Sequence, residues 1–303
     1  MTPEKITKIR LAGFAGGLFR WYVDRAEELI RRAAPGIEIL RVELDAGSGK
    51  SKDRKKNVAK LEALLLDGKA DVAVHNARSL NPVRRKELVI AAALERGVVN
   101  DALICGEHLG FHDLPLGAKI GVNNLRRKAQ LLRLRDDIKV VMTETNVIDR
   151  IESIDNGKLS GALFSWVDLR RMGLAWRVDD VFGVTELLPS PGQGIVALQT
   201  RAGEDGLIES LGHAGHAPAL RRLVAEWAFL NRMEVEPSSP VAAYSSDYGQ
   251  EGMRMVARAF SPDGAEMIEV ERSTTVDEDP TELGRKTAEE LISRGGKKIM
   301  AGK

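Results

Sequence analysis

Apolar positions along the chain follow two alternating rhythms, short continuous or two-residue patterns and longer stretches with helical spacing. Ile6–Gly13, Ile37–Leu44 and Ala70–Ala77 read as strands, with helices at Leu18–Ala34 and Val58–Asp67 between them. A second cycle gives strands at Asp101–Cys105, Lys119–Val122, Ile138–Thr143 and Gly161–Trp166, and helices at Leu125–Arg135 and Val147–Ile154. Strands and helices in alternation predict α/β architecture. Turn punctuation falls at Asn156-Gly157 and along Pro189–Gly194, before a further strand at Ile195–Thr200. Past the Gly/His/Ala stretch Gly212–Pro218, read as a linker, the rhythm changes. A helix at Ala219–Arg232 precedes Met253–Phe260, the turn Ser261–Gly264, Met267–Arg272 and a closing helix at Leu283–Arg294, an α+β module with an antiparallel hairpin.

Composition narrows the class. With 303 residues, 43% hydrophobic and 29% charged residues and a net charge of +1, the chain is long enough for two or three globular domains. The near-neutral balance argues against a nucleic-acid partner. No apolar run approaches the ~20 residues of a membrane span, and MTPEKITKIR lacks the apolar core of a secretion signal. A single cysteine excludes an internal disulfide and fits a reducing cytoplasm. That residue, Cys105, follows Ala102-Leu103-Ile104 and reads as a buried structural thiol.

Several motifs carry little chemistry. Gly47-Ser48-Gly49-Lys50-Ser51 has Leu44 where a phosphate-binding loop needs glycine, so Asp45–Lys56 reads as a solvated loop. His108 with His112, and His213 with His216, stand in glycine-rich sequence without supporting cysteines, so no metal site is expected. The basic clusters Arg84-Arg85-Lys86 and Lys52–Lys56 lack interleaved aromatics and read as surface.

A resemblance sharpens this picture. ADVAVH (70–75), GVNNLRRKAQ (121–130), Asn146–Arg150, Asp155-Asn156-Gly157, LRRMGL (169–174) and LPSPGQG (188–194) run in one register with motifs of the porphobilinogen deaminase family. So does EWAFLNRMEVEPSSPVAAY (226–244). The resemblance implies two periplasmic-binding-protein-like α/β domains with a cleft between them and a smaller C-terminal α+β domain. The boundaries expected are 1–96 with 195–214, then 97–194, then 217–303. It also implies a mobile flap near 45–56, and a cleft rich in arginines that hold the carboxylates of pyrrole substrates.

The same register exposes departures. Pro237 falls where the family carries the cysteine that holds a dipyrromethane cofactor by a thioether. VHNARSLNP (74–82) puts Ser79 at the position of an aspartate and Arg78 at that of a lysine. Phe14 and Glu144 stand at two arginine positions, and Asn123 and Asn124 at two serines. In the family the aspartate stabilises the azafulvenium cation formed as ammonia leaves, a charge that serine does not supply.

These departures predict a divergent enzyme acting on one small carboxylated pyrrole or amine, with no cofactor, and not making hydroxymethylbilane. Ser79, Glu144 and Asp149 are the candidate catalytic residues, with Asp168 a further candidate acid or helix cap. Arg78, Asn123, Asn124, Arg126, Arg127, Arg150, Trp166 and Arg171 are expected to bind substrate. His75 is expected to be packed, not catalytic. The alternatives are a non-catalytic small-anion binding protein and a true hydroxymethylbilane synthase with a displaced anchor.

Overall fold

Continuous apolar runs become sheet strands buried on both faces, the outcome expected where helices cover a largely parallel sheet. The computed structural model describes residues 7–47, 53–82, 85–236, 238–248, 252–275 and 277–302. Expectations for residues 48–52, Arg84 and Pro237 lie outside these.

The chain begins with β1 (Lys8–Phe14), α1 (Gly17–Ala33), β2 (Glu38–Leu44), α2 (Asp53–Leu66), β3 (Val72–Asn76), a 3-10 turn (Ala77–Ser79) and β4 (Leu88–Ala93). Next come β5 (Asp101–Cys105), β6 (Lys119–Val122), α3 (Leu125–Leu134), β7 (Lys139–Met142), α4 (Val147–Asp155), β8 (Gly161–Ser165), α5 (Trp166–Arg171) and β9 (Asp180–Val181). It closes with β10 (Val196–Arg201), α6 (Asp205–Ala214), α7 (Ala217–Met233), β11 (Val241–Asp247), β12 (Gly252–Phe260), β13 (Met267–Thr275), α8 (Pro280–Ser293) and α9 (Gly296–Met300).

Two compact units result, one of residues 1–97 and 194–221, the other of 98–193 and 222–303. The first holds a sheet ordered β2-β1-β3-β10-β4, parallel from β2 to β3, with β10 antiparallel to both neighbours. Alternation along β1 sends Ile9 and Leu11 toward Tyr22, Ala26 and Ile30 of α1. Ala12 and Phe14 go to the other face, with Leu61 and Leu65 of α2.

The second unit repeats the plan as β7-β6-β8-β5-β9, with β6 parallel to β7 and β8, and β5 antiparallel. Its β5 alternates likewise. Leu103 and Cys105 join one core with Leu131 of α3, and Ala102 and Ile104 join another with Ile151 and Ile154 of α4. This unit also contains an antiparallel sheet, β11-β12-β13, whose Ala242 and Phe260 pack on Ala129 of α3. Thus the chain is α/β with two mixed five-stranded sheets and a small α+β module, the class that the alternation predicts.

The expected linker at 212–218 is instead helix on both sides of Gly215, the end of α6 and the start of α7. Two glycines, Gly206 and Gly212, hide α6 in the sequence, while Leu207 and Leu211 one turn apart bury its inner face.

Candidate active site

Parallel strands must return through crossovers, so the helices that follow them begin at the strands' carboxyl ends. In the second unit this brings the starts of α3, α4 and α5 to the ends of β6, β7 and β8. Asparagines cap two of them. Asn124 Oδ1 accepts from Arg127 N at 2.8 Å, and Asn146 Oδ1 accepts from Asp149 N at 2.9 Å. Ser165 precedes α5 without capping it, and its buried Oγ has no hydrogen-bond partner among the described residues.

The arginines expected to meet substrate are drawn together beneath this edge. Arg126 and Arg127 are each only 2% exposed, and Asp101 at the head of β5 takes one guanidinium on each oxygen. Arg126 Nη2 donates to Oδ2 at 2.6 Å and Arg127 Nη2 to Oδ1 at 2.7 Å. Gln193 Nε2 adds a donor to Oδ1 at 3.1 Å, and Arg126 Nη1 donates to Leu188 O at 2.6 Å. Burial opposes ionisation of Asp101, yet the two guanidiniums hold its carboxyl well below the usual carboxylate range.

Arg150 is buried as well, its guanidinium 5.1 Å from the centre of the Phe164 ring. Its Nη1 donates to Leu163 O at 3.1 Å and its Nη2 to Thr145 O at 2.9 Å. Arg127 Nη1 reaches the same Leu163 carbonyl at 3.3 Å, so Arg127 and Arg150 converge on one point of β8.

Nearer the surface, Asn123 and Asn124 are half-buried at the end of β6. Glu144 is exposed in the segment before α4, and Asp149 is half-buried in the first turn of that helix. Trp166 is half-buried and faces Arg170 at 6.0 Å, Asp168 is buried, and Arg171 is half-buried in the last turn of α5.

In the first unit, Asn76 at the end of β3 accepts from Arg78 N at 3.2 Å and donates to Tyr22 Oη at 3.0 Å. This fixes the turn that carries Arg78 and Ser79, both half-buried. His75 lies one residue earlier, packed as expected, and burial lowers its pKa to about 4, only partly offset by its polar contact with Gln199.

Two buried carboxylates were given no role from the sequence, Asp101 and Glu226, the latter read only as the first residue of the 226–244 motif. Asp101 looks like an ordinary strand boundary ahead of an apolar run. Glu226, fully buried on α7, accepts from Gly192 N at 2.6 Å, Ser245 N at 2.8 Å and Ser245 Oγ at 2.9 Å. It thereby ties the turn ahead of β10 to β11. The only signal for either is a carboxylate set among residues that belong in a core.

Sequence models of two regions match this chain: "Porphobilinogen deaminase, dipyromethane cofactor binding domain" over residues 39–209, and "Porphobilinogen deaminase, C-terminal domain" over 220–293. The chain belongs to the porphobilinogen deaminase family. Porphobilinogen deaminase of Thermobifida fusca is 34% identical over 251 residues, 80% of this chain and 78% of that protein. That of Xanthomonas euvesicatoria is 30% identical over 305 residues, 98% of this chain and 99% of the relative. The Thermus thermophilus protein is 32% identical over 283 residues, 93% of each. Among solved structures, the VFT2 domain of Bordetella pertussis BvgS overlaps 69% of this chain and 86% of its own at 18% identity, with a TM-score of 0.44. A Salmonella typhimurium periplasmic binding protein described for its high arginine specificity overlaps 68% of this chain and 91% of its own at 12% identity, with a TM-score of 0.41.

Membership of this family corrects three expectations. A reaction on one small substrate, an enzyme that does not make hydroxymethylbilane, and a chain without dipyrromethane all give way to a match that spans the cofactor-binding region and nearly the full length of relatives. Replacing a few polar groups within a motif shows which atoms are present. It does not establish that the reaction run by the whole scaffold has changed.

Dipyrromethane is nonetheless a poor fit to the thiols of this chain. The only cysteine, Cys105, is 1% exposed and packed in the core of the second unit against Leu103 and Leu163. Its strand partner is Gly161 at the start of β8, the opposite end of that strand from Ser165. A thioether there would require the core to open.

Proposed function

We propose that this chain is a hydroxymethylbilane synthase, joining porphobilinogen units into a linear tetrapyrrole with loss of ammonia. The observation that carries the reading is the match to porphobilinogen deaminases over nearly the whole chain, including 30% identity across 98% of it. The three-domain division, 1–96 with 195–214, 97–194 and 217–303, belongs to the same reading and is supported by three separate sheets.

Porphobilinogen carries carboxylates and an aminomethyl group. Its carboxylates are assigned to the edge formed by the starts of α3 and α4, where the helix dipole favours an anion. Asn123 and Asn124 are half-buried there, with Arg126, Arg127 and Arg150 as the buried positive layer behind them and Arg171 in the last turn of α5. Trp166 offers an apolar wall to a ring. Arg78 and Ser79 stay assigned to substrate by the motif register alone.

The motif register places Pro237 at the family's cysteine and Ser79 at its aspartate. On this reading Glu144 and Asp149, both at the entry to α4, supply the negative charge that stabilises the cationic ring left when ammonia departs. The anchor of a dipyrromethane then lies elsewhere than residue 237. A cytoplasmic location goes with the single, buried and unpaired cysteine.

The test is a time course of porphobilinogen consumption and ammonia release by purified protein. Continuous turnover with one ammonia per porphobilinogen supports the assignment. Consumption no faster than with heat-denatured protein overturns it. Glu144→Gln and Asp149→Asn then separate the two acids, the residue in use losing kcat by about tenfold or more.

A further inference from the structure

Asp101, Arg127 and Asn123 form a continuous relay from the core of the second unit to its surface. Asp101 is fully buried and takes Arg127 Nη2 at 2.7 Å, while Arg127 Nη1 donates to Asn123 Oδ1 at 2.9 Å. Asn124 Nδ2 donates to that same oxygen at 3.0 Å. A guanidinium only donates, so an asparagine facing it must present its carbonyl oxygen. With that oxygen taken by two donors, the group Asn123 has left for a ligand is its amide N–H₂.

Neighbouring side chains on a helix leave it about 100° apart, so Arg126 and Arg127 do not converge without a shared partner. Asp101 is that partner, and Gln193 Nε2 steadies it from the side at 3.1 Å. The carboxylate also offsets part of the repulsion between two adjacent buried cations.

We infer that Asp101 is a positioning residue for substrate binding, acting through Arg127 to fix the Asn123 amide with its N–H₂ toward a substrate carboxylate. The inference rests on the proposed porphobilinogen reaction and deepens it. It assigns Asn123 a direct contact and Asp101 an indirect one.

A double-mutant cycle on KM and kcat for porphobilinogen tests the relay, with urea midpoints measured alongside. Asp101→Asn and Asn123→Ala are each expected to raise KM about tenfold with kcat within about threefold, since a ground-state contact is lost. The double variant is expected to raise KM by about the same tenfold, because both changes break one contact. Multiplied effects of about a hundredfold, or an unchanged KM in Asp101→Asn, overturn the relay. Should Asp101→Asn fail to fold, Asp101→Glu, which keeps the charge and displaces the carboxylate, combined with Asn123→Ala makes the same comparison, and multiplied effects there overturn it too. A wild-type chain that neither consumes nor binds porphobilinogen overturns the activity assignment and the relay with it. Multiplied effects in variants of an active wild type overturn the relay alone.

Discussion

His75 shows how burial of one titratable side chain reaches the stability of a unit. It sits on β3 between β1 and β10, and burial lowers its pKa from 6.5 to about 4. The unfolded chain therefore takes up a proton in a range where the folded chain does not. Stability from this residue is full above the unfolded value and declines as pH falls from 6.5 toward about 4. The loss is at most about 3 kcal/mol. Urea midpoints at about pH 7.5 and about pH 4.5 should fall further in wild type than in His75→Gln. Equal slopes in the two proteins would contradict the assignment. At this scale the sequence was a mixed guide. It marked Arg126, Arg127 and Arg150 by motif, and packed His75 correctly. It did not reveal that the arginines turn inward, because Asp101 lies 25 residues from the first of them and only the pairing of β5 with β8 brings the two ends together.

Two contacts between elements hold the second unit in shape. The turn after β12 passes so close to α3 that a Cβ on Gly264 would lie 2.3 Å from Ala129 O, at a φ of +79°. Gly264→Ala is expected to cost about 2 kcal/mol or more, and amide exchange should quicken in β12 and β13 before the five-stranded sheet. Uniform exchange across both sheets would contradict that order. Glu226 is the second contact, since its loss leaves three donors in a buried setting without their carboxylate. Glu226→Ala should lower stability by about 3 kcal/mol or more in urea denaturation, and a loss under about 1 kcal/mol would show that the turn holds itself. Most of the main strands and helices were legible from periodicity because they bury one face or both, although β2 and β7, at the ends of their sheets, have no fully buried residue. The strands β4 and β11 and the helix α6 were not announced. Leu88–Ala93 is apolar throughout and has no period to read, and the glycines of α6 break its pattern.

For the whole molecule, the family was legible because its motifs run in one register along nearly the entire chain. The activity was misjudged because departures expected from the motif register, at Ser79 and Pro237 foremost, were given more weight than the scaffold around them. Two five-stranded sheets of the same order, each with an antiparallel strand that follows a crossing between the units, carry that scaffold regardless of those side chains. The most direct test is the identity of the product. Purified protein is incubated with porphobilinogen, and the reaction is quenched and resolved by ring number before and after acid closure and oxidation. A linear tetrapyrrole that converts to a coloured porphyrin is the predicted result. A one-ring product, or porphobilinogen recovered unchanged, would contradict it.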